Sequence, residues 1–276
     1  MPTIKEISKL AGVSTATVSN VLNNSPKVAP ETREKVLKVI KEVNYQPNPI
    51  AKSLKVKKTF TIGVVSEDIT VFSTPEIING IDEYAEKCGF HLLLNNLRLY
   101  KRLGNNYENT VKYRDLINET IQVLLNRQVD GIIYVGAHNR DLRDIMGKVK
   151  IPLVYTYCYS SGEAYSVNND DEDAAYQVVK YLIALGHRQI GVISGLYDSL
   201  PSQARFKGYQ RAILEDNLLF NPDYLKTGDW ERESGYRLGK ELLTLTEPPT
   251  AIFAMNDLMA GGVLDVADEL GIRVPE

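Results

Sequence analysis

The chain has 276 residues, 43% of them hydrophobic and 24% charged, which is enough to bury more than one core and excludes a disordered or fibrous protein. No apolar run reaches membrane-spanning length, and Met1-Pro2-Thr3-Ile4-Lys5-Glu6 lacks the apolar stretch of a secretory leader, so a cytoplasmic protein with no membrane partner is expected. Cysteine is limited to Cys88 and Cys158, which read as unpaired thiols of a reducing compartment.

The formal net charge of −3 conceals a division. Residues 1–58 hold eleven Lys or Arg against four acids, whereas the remainder holds 21 basic and 31 acidic residues. A basic end on an acidic body is expected when one end alone meets a polyanion. That end is also patterned to fold. Thr3 can cap a helix whose apolar positions Ile4, Ile7, Leu10 and Ala11 recur at helical spacing, and Gly12-Val13 interrupts it. Ser14 then caps a second helix, Thr15 to about Leu22, with Val18, Val21 and Leu22 facing inward. A third begins at Pro30, with Val36, Leu37, Ile40 and Val43 as its apolar stripe.

Two short helices joined by a glycine-containing turn have the geometry of a helix-turn-helix, whose second helix enters the major groove of duplex DNA. Thr15, Ala16, Thr17 and Asn20 lie away from Val18 and Val21 and are the candidate base-reading residues. Asparagine can pair two-pronged with adenine, threonine can hydrogen-bond, and alanine or a threonine methyl can touch the thymine methyl. Thr3, Ser14 and the neighbouring Lys and Arg residues are the candidate phosphate contacts that set register. Ser14 as a cap alone, and Thr17 as a plain surface residue, are the alternatives.

The run Thr3-Ile4-Lys5-Glu6-Ile7, continued by Ala11-Gly12-Val13-Ser14-Thr15-Ala16-Thr17-Val18-Ser19-Asn20-Val21-Leu22-Asn23, closely resembles the N-terminal signature of the lactose/galactose repressor (LacI/GalR) family. Tyr45-Gln46-Pro47-Asn48-Pro49 ends the third helix, because each proline biases its predecessor away from helical geometry. The basic stretch that follows, 50–57, is too short to be a stable helix alone. The resemblance implies that it becomes helical when two subunits meet over DNA. Leu54 would then wedge into the minor groove at the operator centre, with Lys55 beside it. From the residues alone, a flexible linker with an incidental leucine remains open.

From Thr59 onward, apolar strand windows at 61–65, 90–94, 131–135, 152–157, 189–194, 225–227 and 251–254 alternate with helical stretches near 76–88, 113–126, 171–186, 204–216, 231–243 and 257–270. This argues for about two parallel sheets covered on both faces, with ligand bound at the carboxyl ends of the strands. The resemblance implies the same arrangement as a periplasmic-binding-protein-like domain. The expected fold is therefore an all-α three-helix helix-turn-helix headpiece (1–46), a hinge (47–58) and a two-lobed α/β effector-binding domain (59–276). The first lobe would span about 59–158 and the second about 159–276. The second is expected to be incomplete, since the resemblance implies further elements beyond 276 that supply a cleft carboxylate and part of a dimer face.

Further motifs continue the likeness: Gly186-His187-Arg188-Gln189-Ile190, Arg205-Phe206-Lys207-Gly208-Tyr209, Gly228-Asp229-Trp230 and Ala254-Met255-Asn256-Asp257. By position they imply Arg205 in the cleft, Asn256 beside it and Trp230 as a flat wall. Phe72, Thr74 and Pro75 would follow the first strand, and Tyr157 would end the fourth. A fork of donors, an amide and aromatic faces suit a sugar. Trp230 could instead be plain core. Asp257 is expected to cap the following helix, and His187 reads as structural. Between 95 and 113, Arg98, Tyr100, Lys101, Arg102, Tyr107 and Lys112 show no periodicity, so a solvated loop or subunit contact is expected ahead of a nucleic-acid contact.

An α/β enzyme is disfavoured. There is no G-x-G-x-x-G after the first strand, no phosphate-loop motif and no G-x-S-x-G turn, and His91, His138 and His187 lack metal-type spacing. No catalytic residue, cofactor or metal is expected. A pure solute-binding protein fits the α/β part but not the headpiece. The expectation is a nucleoid-associated transcriptional repressor, a homodimer on a pseudo-palindromic double-stranded operator, controlled by a small effector with the chemistry of a sugar.

Overall fold

In the headpiece, each helix has an identifiable start. Thr3 caps α1 (Ile4–Ala11): its hydroxyl accepts from the Glu6 amide, while the Glu6 carboxylate accepts from the Thr3 amide at 2.7 Å, a reciprocal capping box. Gly12, at φ 63°, closes the helix in the left-handed conformation that favours glycine. Ser14 caps α2 (Thr15–Leu22) through the Thr17 amide at 3.0 Å, and Pro30 occupies the first position of α3 (Pro30–Glu42). Ile7, Ala11, Val18, Val21 and Val36 are buried between the three helices, with Val28, Val39, Ile40 and Tyr45 packed around them. The expected stripes need two corrections. Leu10 is 63% exposed and Leu37 46% exposed, because three short helices have too small an interior to enclose a wider face.

The computed structural model describes residues 2–45, 58–103, 107–162 and 165–275; Leu54 and Lys55 of the expected hinge lie outside them. The first sheet contains β1 (Thr61–Ser66), β2 (His91–Asn96), β3 (Gly131–Val135), β4 (Leu153–Thr156) and β5 (Ser166–Val167), in the order β2-β1-β3-β4-β5. The β1–β3, β3–β4 and β4–β5 ladders are parallel. Its connections are α4 (Thr74–Lys87), the short α5 (Leu99–Leu103), a 3-10 turn (Tyr107–Tyr113) and α6 (Arg114–Asn126). Val64, Val65, Ile132, Tyr134 and Val135 are buried in the strands, with Ile117, Ile121 and Leu124 buried on α6.

The second sheet is β7-β6-β8, formed by β6 (Ile190–Ser194), β7 (Leu225–Thr227) and β8 (Ala251–Ala254), with both ladders parallel. Helices α7 (Asp171–Ala184), α8 (Leu200–Glu215), α9 (Arg232–Leu243) and α10 (Asp257–Glu269) alternate with these strands. One core joins Val179, Val192, Ile193, Tyr209, Leu242, Phe253 and Met259. Every residue of β6 is buried, which explains its unbroken apolar run.

Three larger departures from the sequence expectation stand out. The first sheet takes Ser166–Val167 as an edge strand, so its residues run beyond the expected division at 158/159. Two exposed residues have no apolar pattern to betray them. Helix α8 starts at Leu200 rather than 204, because Ser199 caps it through the Ser202 amide and Pro201 sits in its first turn. The stretch 95–113 is not a solvated loop throughout: Leu97, Leu99, Leu103 and Thr110 are buried, and the Leu97 and Leu99 amides donate to the Ser66 and Glu67 carbonyls at 2.9 and 2.7 Å.

Candidate functional site

On the headpiece, Thr15, Ala16 and Asn20 are exposed, Thr17 is half-buried, and Val18 and Val21 point into the core. Helix α2 carries no charged residue, so no carboxylate of its own opposes a phosphate at its N-terminus. Ser14 has its hydroxyl 2.9 Å from that of Thr17, so cap and helix start act as one polar corner. Thr3 is exposed, with its amide and hydroxyl both donating to Glu6. Arg33 is engaged within the headpiece: its guanidinium donates to the Asn24 side chain at 2.9 Å and to the Ser25 carbonyl at 2.5 Å, holding the turn between α2 and α3.

The second sequence-expected set gathers at the carboxyl ends of the two sheets. In both sheets the first strand in sequence lies between the second and third, and the crevice where a parallel sheet reverses its winding is where such folds take ligands. At the crevice of the second sheet, Arg205 on α8 donates from Nε to Asp171 at 2.8 Å and from Nη1 to the Met255 carbonyl, with its Nη2 2.7 Å from the same carboxylate. Its guanidinium stands 5.7 Å from the centre of the Trp230 ring. Trp230 has φ 75°, a conformation that costs energy in a bulky residue and is held by its surroundings. The Asn256 side-chain amide donates to its carbonyl at 2.8 Å, while the Asn256 oxygen accepts from the Met259 amide at 2.9 Å. Asn256, not Asp257, is therefore the cap of α10, because its backbone is extended and its oxygen reaches the third residue on. Tyr157, at φ 56°, ends the first-sheet side of this group. Burial pushes its hydroxyl upward in pKa, opposed by the charge of Arg205.

Tyr157, Arg205, Trp230 and Asn256 are thus brought together. Thr74 is buried at the start of α4, while Phe72 and Pro75 beside it are exposed, Phe72 by 69%. No described contact ties these three to Arg205. His187 has Nδ1 3.0 Å from the Thr250 hydroxyl, in keeping with a structural role. Among the described residues no group of three or more His, Cys, Asp or Glu could hold a metal ion, and no helix is long and apolar enough to cross a membrane.

Comparison with known proteins bears on both sets. Residues 3–48 match the model of the bacterial regulatory proteins of the lacI family, and residues 59–276 match that of the periplasmic binding proteins and sugar binding domain of the LacI family. The chain belongs to the LacI family. Its relatives include the HTH-type transcriptional repressor PurR of Haemophilus influenzae (strain PittEE), 34% identical over all of this chain and 79% of the relative. The PurR repressor of Vibrio vulnificus (strain CMCP6) is 35% identical over 100% of this chain and 80% of the relative. Among solved structures, the Lac repressor dimer bound to operator and the anti-inducer ONPF superposes with a TM-score of 0.76 at 26% identity, covering 99% of this chain and 79% of that one. The CelR–cellobiose complex does so with a TM-score of 0.59 at 28% identity, covering 100% and 80%. This LacI-family chain is a DNA-binding transcriptional regulator of the repressor type, with a helix-turn-helix headpiece and a parallel α/β domain.

Several residues of the LacI-family cleft escape a reading by motif. Asp171 sits in an acidic run, Asp170 to Asp173, that reads as helix-start chemistry, yet it is 6% exposed and neutralises Arg205. Gly195 follows β6, and a Cβ there would fall 2.0 Å from the Trp230 ring, so the absence of a side chain is what seats the indole. Glu67 is fully buried beneath the first crevice, accepting from the Tyr134 hydroxyl at 2.7 Å, the Ala137 amide at 2.8 Å and Arg140 at 2.6 Å. Tyr100, in the segment expected to be a loop, donates to Glu231 next to Trp230 at 2.6 Å and so links the two sheets' carboxyl ends. That bond, with burial, raises the Tyr100 phenol to about 12.

Proposed function

We propose that the chain works as a homodimer reading a pseudo-palindromic operator, and that a small effector, a sugar, bound at the facing crevices controls it. In this reading residues 1–46 are the headpiece, 47–58 the hinge and 59–276 the effector domain, acting in the cytoplasm at the nucleoid. Thr15, Ala16, Thr17 and Asn20 read bases, Thr3, Ser14 and Lys55 contact phosphates, and Leu54 enters the minor groove. Arg205, Trp230, Asn256 and Tyr157, with Phe72, Thr74 and Pro75, line the effector site.

The observation that carries the effector reading is the pairing of Arg205 with the Trp230 ring. An aromatic plane gives a pyranose ring an apolar face, and a fork of donors beside it meets ring hydroxyls. The sugar-binding description of the matched domain and the cellobiose in the CelR structure support it. The operator in the Lac repressor dimer structure supports the DNA reading.

Because linkage is reciprocal, any effector that shifts operator affinity must bind more or less tightly by the same factor when operator is present. Operator titrations by fluorescence anisotropy, with and without each member of a sugar panel, test the proposal. At least one sugar is expected to move operator affinity fivefold or more, in the range of about 1–3 kcal/mol typical of coupling. Asn20→Ala is expected to relax preference at one operator position by about 1–3 kcal/mol and leave nonspecific binding intact. Equal losses of specific and nonspecific affinity would make Asn20 a positioning residue.

A further inference from the structure

Resting on the effector reading above, we propose that the first-sheet side of the cleft is an acceptor-rich subsite formed by Ser66, Asp68, Thr74 and Asn139. It selects hydroxyl-rich effectors that are neutral or carry an amino group, and rejects those bearing phosphate or carboxylate.

Ser66 Oγ, Asp68 Oδ2, Thr74 Oγ1 and Asn139 Oδ1 are buried, and none of these atoms has a hydrogen-bond partner among the described residues. Ser66, Asp68 and Thr74 are 0%, 2% and 1% exposed. Leaving such atoms unsatisfied is expensive, so a group of them in one place calls for a partner from outside the chain. All four fall at the carboxyl edge of the first sheet. Ser66 ends β1, Asp68 follows it, Thr74 opens α4 and Asn139 lies in the turn after β3. That is the crevice between β1 and β3, where the winding of this sheet reverses. The edge faces the second sheet's ligand corner. Asp68 and Asp229 both act electrostatically on the Tyr100 hydroxyl, which itself bonds Glu231 beside Trp230.

The chemistry of these atoms sets the ligand class. A carboxylate oxygen and an amide oxygen only accept, and the two hydroxyls can accept or donate. The subsite therefore matches a ligand that presents several donors on one edge. Charge points the same way. Two arginines at the crevices are already engaged, Arg140 by Glu67 and Arg205 by Asp171. Asp68, Asp198, Asp229 and Glu231 add four further carboxylates, with Asp198 acting on His138 across the cleft. A phosphate or carboxylate brought here would meet like charge in a poorly solvated space, whereas hydroxyls or an ammonium would be held.

Thr70 helps to orient Asp68 for this task. Its amide and hydroxyl both donate to Oδ1, at 3.0 and 2.6 Å, and leave Oδ2 as the reading atom.

The test uses the full chain and a fixed panel: neutral mono- and disaccharides, hexosamines, the matching sugar phosphates and uronates, and free nucleobases. Trp230 emission and the thermal midpoint are the readouts. The tightest binder is expected among the neutral sugars or hexosamines. Asp68→Asn, which puts an amide where the carboxylate stands, is expected to weaken that binder tenfold or more. Thr74→Val removes a buried hydroxyl of the same shape, so it should raise the midpoint of the free protein while weakening the same ligand. A phosphate, uronate or nucleobase as tightest binder overturns this inference and leaves the effector reading standing. So does unaltered affinity of a neutral binder in Thr74→Val and Asp68→Asn, or in Thr74→Val alone should Asp68→Asn not fold. A protein stabilised by no member of any class overturns both.

Discussion

Gly195→Ala tests the seat of the Trp230 ring without removing any polar side chain of the cleft. Its backbone is one that any residue adopts, so adding a methyl group acts through space alone. The new carbon would lie 2.0 Å from the indole, where carbon atoms ordinarily rest about 3.5–4.0 Å apart, so the ring must retreat by about 1.5 Å. Retreat is resisted twice over, since Trp230 already sits at φ 75° and its carbonyl is held by Asn256 at 2.8 Å. Overpacking of this kind costs about 1–3 kcal/mol, and loss of the Asn256 bond adds about 1 kcal/mol. Trp230 is the sole tryptophan of the chain, so its emission reports the displacement directly. A red-shifted emission maximum, a urea midpoint lower by the equivalent of about 2–4 kcal/mol and loss of the effector-induced fluorescence change are expected. Effector-free operator binding should stay within twofold, because the headpiece has its own core. An emission maximum and midpoint equal to those of the unaltered protein would refute the argument, since the ring could not then occupy the space over Gly195.

Ser14→Ala removes the cap of α2 and is expected to cost the headpiece about 1 kcal/mol in thermal unfolding, whereas Ser14→Asp keeps a capping oxygen but opposes phosphate. If Ser14→Asp retained both stability and operator affinity, a phosphate contact at this corner would be ruled out. Asp171→Asn leaves the Arg205 charge without its partner at a site where the two side chains are 6% and 20% exposed, so about 3 kcal/mol of stability should be lost in urea titration. A midpoint that barely moves would mean that solvent already screens the pair. Burial, then the charge of Arg140, hold His138 down at about 4, against the smaller opposing pull of Glu67 and Asp198. A histidine whose folded pKa lies below its unfolded value binds fewer protons when folded. Its contribution of up to about 3 kcal/mol is therefore complete above pH 6.5 and lost as pH falls from about 6.5 to 4. His138→Gln should flatten stability in that window, and an unchanged slope would assign the acid sensitivity elsewhere.

Local chemistry explains which elements were legible. The Thr3 and Ser14 caps, Gly12 and Pro30 are signals contained within a few residues, and the headpiece helices start where those signals stand. Strands β3, β7 and β8 coincide with the windows 131–135, 225–227 and 251–254. Where the deciding interaction is distant, the pattern is silent. Ser166–Val167 becomes a strand only because β4 offers an edge to pair with. Leu99 and Leu103 look irregular in sequence, since what organises them is a bond to the end of β1 and burial against the sheet.

The cleft shows the same rule more sharply. Arg205, Trp230 and Asn256 are recognisable because each sits in a short motif, but their geometry depends on groups with no motif of their own. The Arg205 charge is compensated by a residue 34 positions earlier, and the Trp230 ring rests over a glycine 35 positions earlier. Both partners reach the site because the central strand of the sheet delivers Gly195 to the crevice while α7 and α8 bring Asp171 against Arg205. A ligand that displaced the Arg205 fork from Asp171 would have to supply an acceptor of comparable strength, or leave a carboxylate of 6% exposure without its partner. Arg205 is therefore better suited to share its free edge with a hydroxyl than to surrender Asp171 to an anion, and this constraint arises on the opposite side of the cleft from Asp68.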